Sequence, residues 1–174
     1  CILISTDKAV NPQGLMGMTK RVTERLAVTY QKRAGRTRFA SVRFGNVLGS
    51  RGSVVPLFKR QIEKGGPVTV TDPEVVRYFM TPREAVSLVM MAASLEEEAP
   101  LYLLEMGDPI KIIDLARQLI SLSGYQPEKE IPIEITGLRP GEKLEKPLVG
   151  PAESPEPPAH SRISKLFPPG FTSE

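Results

Sequence analysis

An α/β fold built on parallel strands is predicted by three observations. Short apolar runs alternate with helical periodicities along most of the chain, the first such run stops abruptly at polar residues, and glycine or proline marks several junctions. With 174 residues, 40% of them hydrophobic and 25% charged, the chain is long enough for a sizeable core and has an ordinary globular composition.

The elements follow in order. Cys1-Ile2-Leu3-Ile4 is apolar and β-branched and ends at Ser5, which reads as an inner strand over 1–5. After the break at Asn11-Pro12, Leu15, Met18, Val22, Leu26 and Tyr30 recur at helical spacing, predicting a helix over 13–34. Met16 and Lys20, four apart, share a different face of that helix, one able to look back at the strand end. A strand over 39–44 and a helix over 53–64 come next, the helix closed by Lys64-Gly65-Gly66-Pro67; a strand over 68–71 follows. The helix over 82–95 is opened by Thr81-Pro82-Arg83-Glu84, which supplies an N-cap, a proline at the first helical position and a capping-box glutamate. A strand over 101–105, a helix over 112–123 closed by Ser123-Gly124, and a strand over 132–135 complete the alternation. From Pro151 onward prolines crowd in at Pro155, Pro157, Pro158, Pro168 and Pro169 without apolar periodicity, so this segment is expected to be extended or mobile.

Composition excludes several classes. The net charge of +3 is scattered and aromatic residues make up only 6% of the chain, which argues against a nucleic-acid surface and leaves a small anionic substrate as sufficient reason for the basic balance. One cysteine and one histidine make neither a disulfide framework nor a zinc site, so no metal is expected and a reducing, cytoplasmic setting is the plain reading. No apolar run approaches the roughly 20 residues needed to cross a bilayer. His160, in the proline-rich segment, has no acid or cysteine cluster near it in sequence; Cys1 and the methionines, including Met90-Met91, are expected to pack, and Glu96-Glu97-Glu98 to form a solvated helix end.

Ligands of open α/β sheets gather beyond the carboxyl ends of the strands, where Ser5, Thr6, Asp7 and Lys8 stand. An alcohol, an acid and a base at adjacent positions are the groups that proton transfer requires. Arg43 to Gly49 reads as a strand entering a glycine-bearing loop; Gly45 and Gly49 allow close backbone approach, and Asn46 both donates and accepts. Arg77 and Arg139 carry planar guanidinium groups suited to phosphate oxygens, with Pro140-Gly141 fixing a turn beside Arg139 and Glu142 placed to hold it; Lys59 and Lys143 add positive charge.

These residues also carry a resemblance. The blocks Ile4-Ser5-Thr6-Asp7-Lys8-Ala9-Val10-Asn11-Pro12, Met16-Gly17-Met18-Thr19-Lys20-Arg21, Val42 to Ser50, Gly66 to Thr71, Arg77 to Thr81 and Leu138 to Lys143 resemble those of the CapD-like nucleotide-sugar 4,6-dehydratases. That family belongs to the extended short-chain dehydrogenase/reductases, and the resemblance covers roughly residues 1 to 148. It implies the carboxyl-terminal half of a Rossmann-like parallel sheet plus a small substrate-binding α/β region. The corresponding division is 1–50 for the dinucleotide-binding part, 51–148 for the interleaved substrate region and remaining Rossmann elements, and 149–174 for the proline-rich tail.

By the same resemblance, Thr6 orients and deprotonates the sugar hydroxyl at carbon 4, Lys8 takes the carbon 5 proton and Asp7 protonates the hydroxyl leaving carbon 6. Lys20 is expected on the nicotinamide ribose, and Thr6, Arg43 and Gly45 beside the same NAD or NADP. Met16 stands where most of the superfamily has tyrosine, which favours the membrane-associated branch of the dehydratases over an epimerase or reductase. Asn46, Val68, Arg77, Arg139 and Lys143 are expected on a UDP-sugar, with the strand at Val68 passing the base. The glycine-rich pyrophosphate turn of the superfamily is not in this sequence, and the chain opens at Cys1 in mid-strand. The chain is therefore expected to be the carboxyl-terminal part of a longer parent, inactive alone, with Ile2 to Ile4 at an exposed sheet edge that favours homo-oligomers and with a membrane domain upstream. Two alternatives stay open: an epimerase or reductase on the same scaffold, and a non-catalytic binding or assembly chain.

Overall fold

The computed structural model describes residues 1–31, 33, 35–95 and 99–167. Glu96-Glu97-Glu98 and Pro168-Pro169 lie outside the described residues. In chain order the elements are β1 (Ile2–Ile4), a 3-10 turn (Asp7–Ala9), α1 (Leu15–Gln31), β2 (Ala40–Arg43), β3 (Asn46–Val47), α2 (Val54–Glu63), β4 (Val68–Val70) and β5 (Val76–Arg77). They continue with β6 (Phe79–Met80), α3 (Pro82–Ser94), β7 (Leu101–Leu104), β8 (Ile110–Lys111), α4 (Ile112–Leu122), β9 (Ile133–Ile135), β10 (Ser154–His160) and β11 (Ile163–Phe167). Two compact units share them: residues 1–45, 83–106 and 146–174 form the first, and 46–82 with 107–145 the second.

The first unit holds a five-stranded sheet in the order β1-β2-β7-β11-β10. β1 pairs in parallel with β2, and β2 with β7; all four residues of β2 are buried, as an inner parallel strand requires. β11 then runs antiparallel to β7, setting Ile163 opposite Leu104 and Leu166 opposite Leu101, all four of them core residues. β10 closes that side by pairing antiparallel with β11. The proline-rich segment is thus extended and hydrogen-bonded into the sheet. Its prolines are tolerated because β10 is an edge strand, where an absent N–H costs no ladder bond on the open side.

β1 is the other edge, and Ile4 there is exposed. On α1 the apolar stripe Leu15, Met18, Val22, Leu26 and Tyr30 is exposed as well, and the helix is seated instead through Gly17, Glu24 and Ala27. The packing expectation is corrected for Cys1, Met16, Met18 and Met90, all exposed: Cys1 precedes the edge strand, and the three methionines stand at solvent-facing positions of α1 and α3.

In the second unit, β4 and β9 pair in parallel beneath α2 and α4. Phe58 and Ile62 of α2, Val68 and Val70 of β4, and Leu115, Ala116 and Ile120 of α4 form its core with Val75 and Ile131. Both helices end as their sequences predict, with Gly65 and Gly124 in left-handed backbone just past the last turn, where a side chain would be strained. β3 with β6 and β5 with β8 form two further short pairs, too brief to leave a periodic signal in the sequence.

Candidate active site

In the first unit the site grows from the end of β1. The Ser5 N–H donates to the Val42 carbonyl at 2.7 Å and the Asp7 N–H to the Phe44 carbonyl at 3.1 Å, so the chain leaving β1 stays tied to that leaving β2. Thr6 caps the turn that follows, its hydroxyl accepting from the Lys8 N–H. The same hydroxyl donates to Asp7 Oδ1 at 2.8 Å, and Lys8 Nζ donates to that oxygen at 2.9 Å. Alcohol, acid and base are thereby gathered on one carboxylate oxygen. Asp7 is 1% exposed, and its other oxygen, Oδ2, is buried with no hydrogen-bond partner among the described residues. A buried carboxylate oxygen left in that state is costly unless something binds there, and such groups concentrate at functional sites.

α1 is pressed onto this turn at a single point. A methyl group on Gly17 would stand 2.2 Å from the Lys8 carbonyl oxygen, so only glycine lets the helix come so close. Lys20, one turn further on, donates from Nζ to the Ile4 carbonyl at 2.9 Å. Met16, four residues before it, is exposed. Gly45, at the end of this unit, is buried and its N–H donates to the Met106 sulfur at 3.4 Å.

The expectation for Arg43 is corrected. Its side chain is 0% exposed, with Nε and Nη2 on the Glu24 carboxylate at 2.9 and 2.8 Å and Nη1 and Nη2 on that of Glu153 at 2.6 and 3.0 Å. Nη1 also reaches the Leu148 carbonyl. A guanidinium so fully enclosed has no donor to spare for a cofactor. Arg21 adds its charge to both carboxylates. Burial alone would raise the Glu153 carboxyl, but the hydrogen bonds and charge of Arg43, the Gly150 N–H and Arg21 outweigh it and hold the group at about 2. Arg43 is likewise disfavoured by burial yet raised by its two carboxylate partners. Sequence reading missed Glu24 and Glu153, since nothing local links positions so far apart.

In the second unit, the Arg77 guanidinium, expected on a diphosphate, is turned inward. Nη1 donates to the Val76 and Leu144 carbonyls at 2.7 and 2.8 Å, and Nη2 to Glu142 Oε1 at 3.2 Å. Glu142 also accepts from the Thr71 hydroxyl and the Arg139 N–H, so its carboxylate fixes the backbone at the exposed Arg139. Val68 is buried in the core, which leaves its backbone and the half-buried Thr69 as what this strand can offer a ligand. Asn46 is half-buried, its N–H donating to the Tyr78 carbonyl, and Lys143 is half-buried too, while Lys59 is exposed. Among the described residues no group of three metal-binding side chains occurs, and no helix is long and apolar enough to cross a membrane.

Three parallel strands, β1, β2 and β7, with helices between them and polar groups beyond a strand end, are the architecture of a Rossmann-like α/β protein. Residues 1–167 match the family described as polysaccharide biosynthesis protein, and the chain belongs to it. It is 57% identical to the probable polysaccharide biosynthesis protein EpsC of Bacillus subtilis and 55% to the capsular polysaccharide biosynthesis protein CapD of Staphylococcus aureus, over 87% of this chain and 25% of each relative. An inverting UDP-N-acetylglucosamine 4,6-dehydratase of Campylobacter jejuni is 35% identical over 88% of this chain and 44% of its own, and a UDP-glucose 4-epimerase of Rickettsia rickettsii 36% over 87% and 44%. Among solved structures, Pen from Bacillus thuringiensis superposes with a TM-score of 0.80 at 34% identity, covering 96% of this chain and 52% of that one. The chain thus spans between a quarter and about half of these proteins.

Proposed function

We propose that this chain is the acid–base portion of a longer nucleotide-sugar 4,6-dehydratase of surface polysaccharide synthesis, acting on a UDP-N-acetylhexosamine with NAD or NADP. The observation that carries the reading is the convergence of Thr6 and Lys8 on Asp7, with the second Asp7 oxygen buried and unpartnered. Water elimination needs an acid and a base in reach of one another, and this pair meets the need with one shared proton. In the ion pair the proton sits on Lys8; passed across the 2.9 Å hydrogen bond, it leaves a neutral amine to take the carbon 5 proton and a carboxylic acid to protonate the leaving carbon 6 hydroxyl. Thr6 holds the carbon 4 hydroxyl through its oxygen.

The residues present fit one end of the cofactor. Lys20 Nζ, tied to the Ile4 carbonyl two residues before Thr6, keeps donors for a ribose. When bound, NAD or NADP supplies acceptance of hydride from carbon 4 and its return at carbon 6. Arg139, exposed on a turn fixed by Glu142, is the arginine available to a diphosphate, while Arg77 braces that turn. A reducing, cytoplasmic setting and a membrane-anchored parent belong to the same reading.

The test is mass spectrometry of UDP-N-acetylglucosamine incubated with NAD and either the longer parent or this chain alone. Loss of one water with the parent only is the expected result. Unchanged mass with a new sugar stereoisomer would establish the second reading, an epimerase, which the similarity to the Rickettsia protein favours.

A further inference from the structure

We propose that Ser5 and Glu24 are positioning residues that hold the Thr6-Asp7-Lys8 turn in its working geometry, an inference that rests on the reading of that turn given above. Ser5 is buried and is the last residue before the reacting groups. Its hydroxyl donates to Glu24 Oε1 at 2.6 Å, across 19 residues of sequence. Glu24 lies one helical turn beyond Lys20, whose ammonium holds the carbonyl of the neighbouring Ile4 at 2.9 Å. Two side chains four apart on α1 therefore grip two consecutive residues of the chain entering the site.

A grip transmits position only if the gripping group cannot turn. Glu24 cannot: Arg43 from β2 occupies both its oxygens through Nε and Nη2, and Arg21 approaches Oε2 at 3.3 Å. Arg43 is itself held by Glu153 and the Leu148 carbonyl. The cluster thus joins α1, β2 and the segment at 148–153, and Ser5 ties it to the reacting groups by donating to Glu24. Burial requires that the charges be paired and that the Ser5 hydroxyl find a partner; the partner it takes is the group of α1 locked by Arg43, which ties the residue before Thr6 to a fixed point. Reacting groups displaced by about 1 Å lose on the order of 100-fold in rate, so a partial loosening of this anchor falls on turnover rather than on substrate binding.

The test uses the longer parent enzyme. Ser5→Ala removes the link and leaves the four charges paired with one another, and Ser5→Thr keeps the hydroxyl. The expected result for Ser5→Ala is a fall in kcat of about 10-fold with KM for the UDP-sugar changed by less than about 2-fold, an unchanged melting temperature, and recovery of most of the rate in Ser5→Thr. A Ser5→Ala kcat equal to that of the parent overturns the proposal, as does a loss that only follows loss of folded protein. Asp7→Asn, run alongside, separates the two claims. If it keeps full turnover, the reading of the turn itself has failed and the positioning role falls with it; if it is inactive while Ser5→Ala is normal, only the positioning role has failed.

Discussion

Two groups of charges lie within the first unit, and they are built in opposite ways. Around Arg43 both carboxylates are held by more than one donor, and no group is left over. Around Asp7 a single oxygen takes both Thr6 and Lys8 and its twin takes nothing. The first arrangement is closed: it keeps no group for a ligand and reaches the turn through the Ser5 hydrogen bond to Glu24. The second is open and incurs a cost in the folded protein, which is what a group kept for chemistry looks like. Changes to the ion pairs of the cluster are therefore expected to act first on stability, and changes to the turn on turnover.

Arg43→Ala should show the largest effect on stability. It strands two buried carboxylates and is expected to lower unfolding free energy by about 3–5 kcal/mol, read from denaturant midpoints. A loss below about 1 kcal/mol would mean the cluster relaxes into water and is not closed. Acid should dismantle the same cluster. Glu153 is held at about 2 against an ordinary value of 4.5, so its contribution, on the order of 3 kcal/mol, is fully present above pH 4.5 and lost as pH falls toward 2. Glu153→Gln should flatten that part of the stability profile.

Gly17→Ala tests the seam between helix and turn. The added methyl meets the Lys8 carbonyl at 2.2 Å, and the backbone must give way at a cost of about 1–3 kcal/mol with a matching loss of turnover in the parent. An alanine tolerated without cost would show that α1 is free to shift on the turn.

Much of this was legible in the sequence where the signal is local. The alternation of elements, the proline that opens α3 and the glycines that end α2 and α4 all follow from chemistry within a few residues. Thr6, Asp7 and Lys8 were legible for the same reason, being adjacent. The Glu24-Arg43-Glu153 cluster was not, since its members meet across separations of 19 and 110 residues and each alone reads as a solvated charge. The strand pairing of the proline-rich segment was hidden too, because β11 takes its partner from β7 some sixty residues earlier and β10 keeps its prolines by lying at an edge. The α1 stripe shows the reverse: its helical spacing reads clearly, yet spacing alone does not say what covers it.

The most direct measurement is Asp7→Asn in the longer parent, with turnover and denaturant midpoint determined on the same sample. The expected result is a fall in kcat of at least about 100-fold with stability changed by less than about 1 kcal/mol, since the side chain keeps its volume and gives up a carboxylate oxygen that had no partner among the described residues. Full turnover, or a stability loss as large as that of Arg43→Ala, would contradict it.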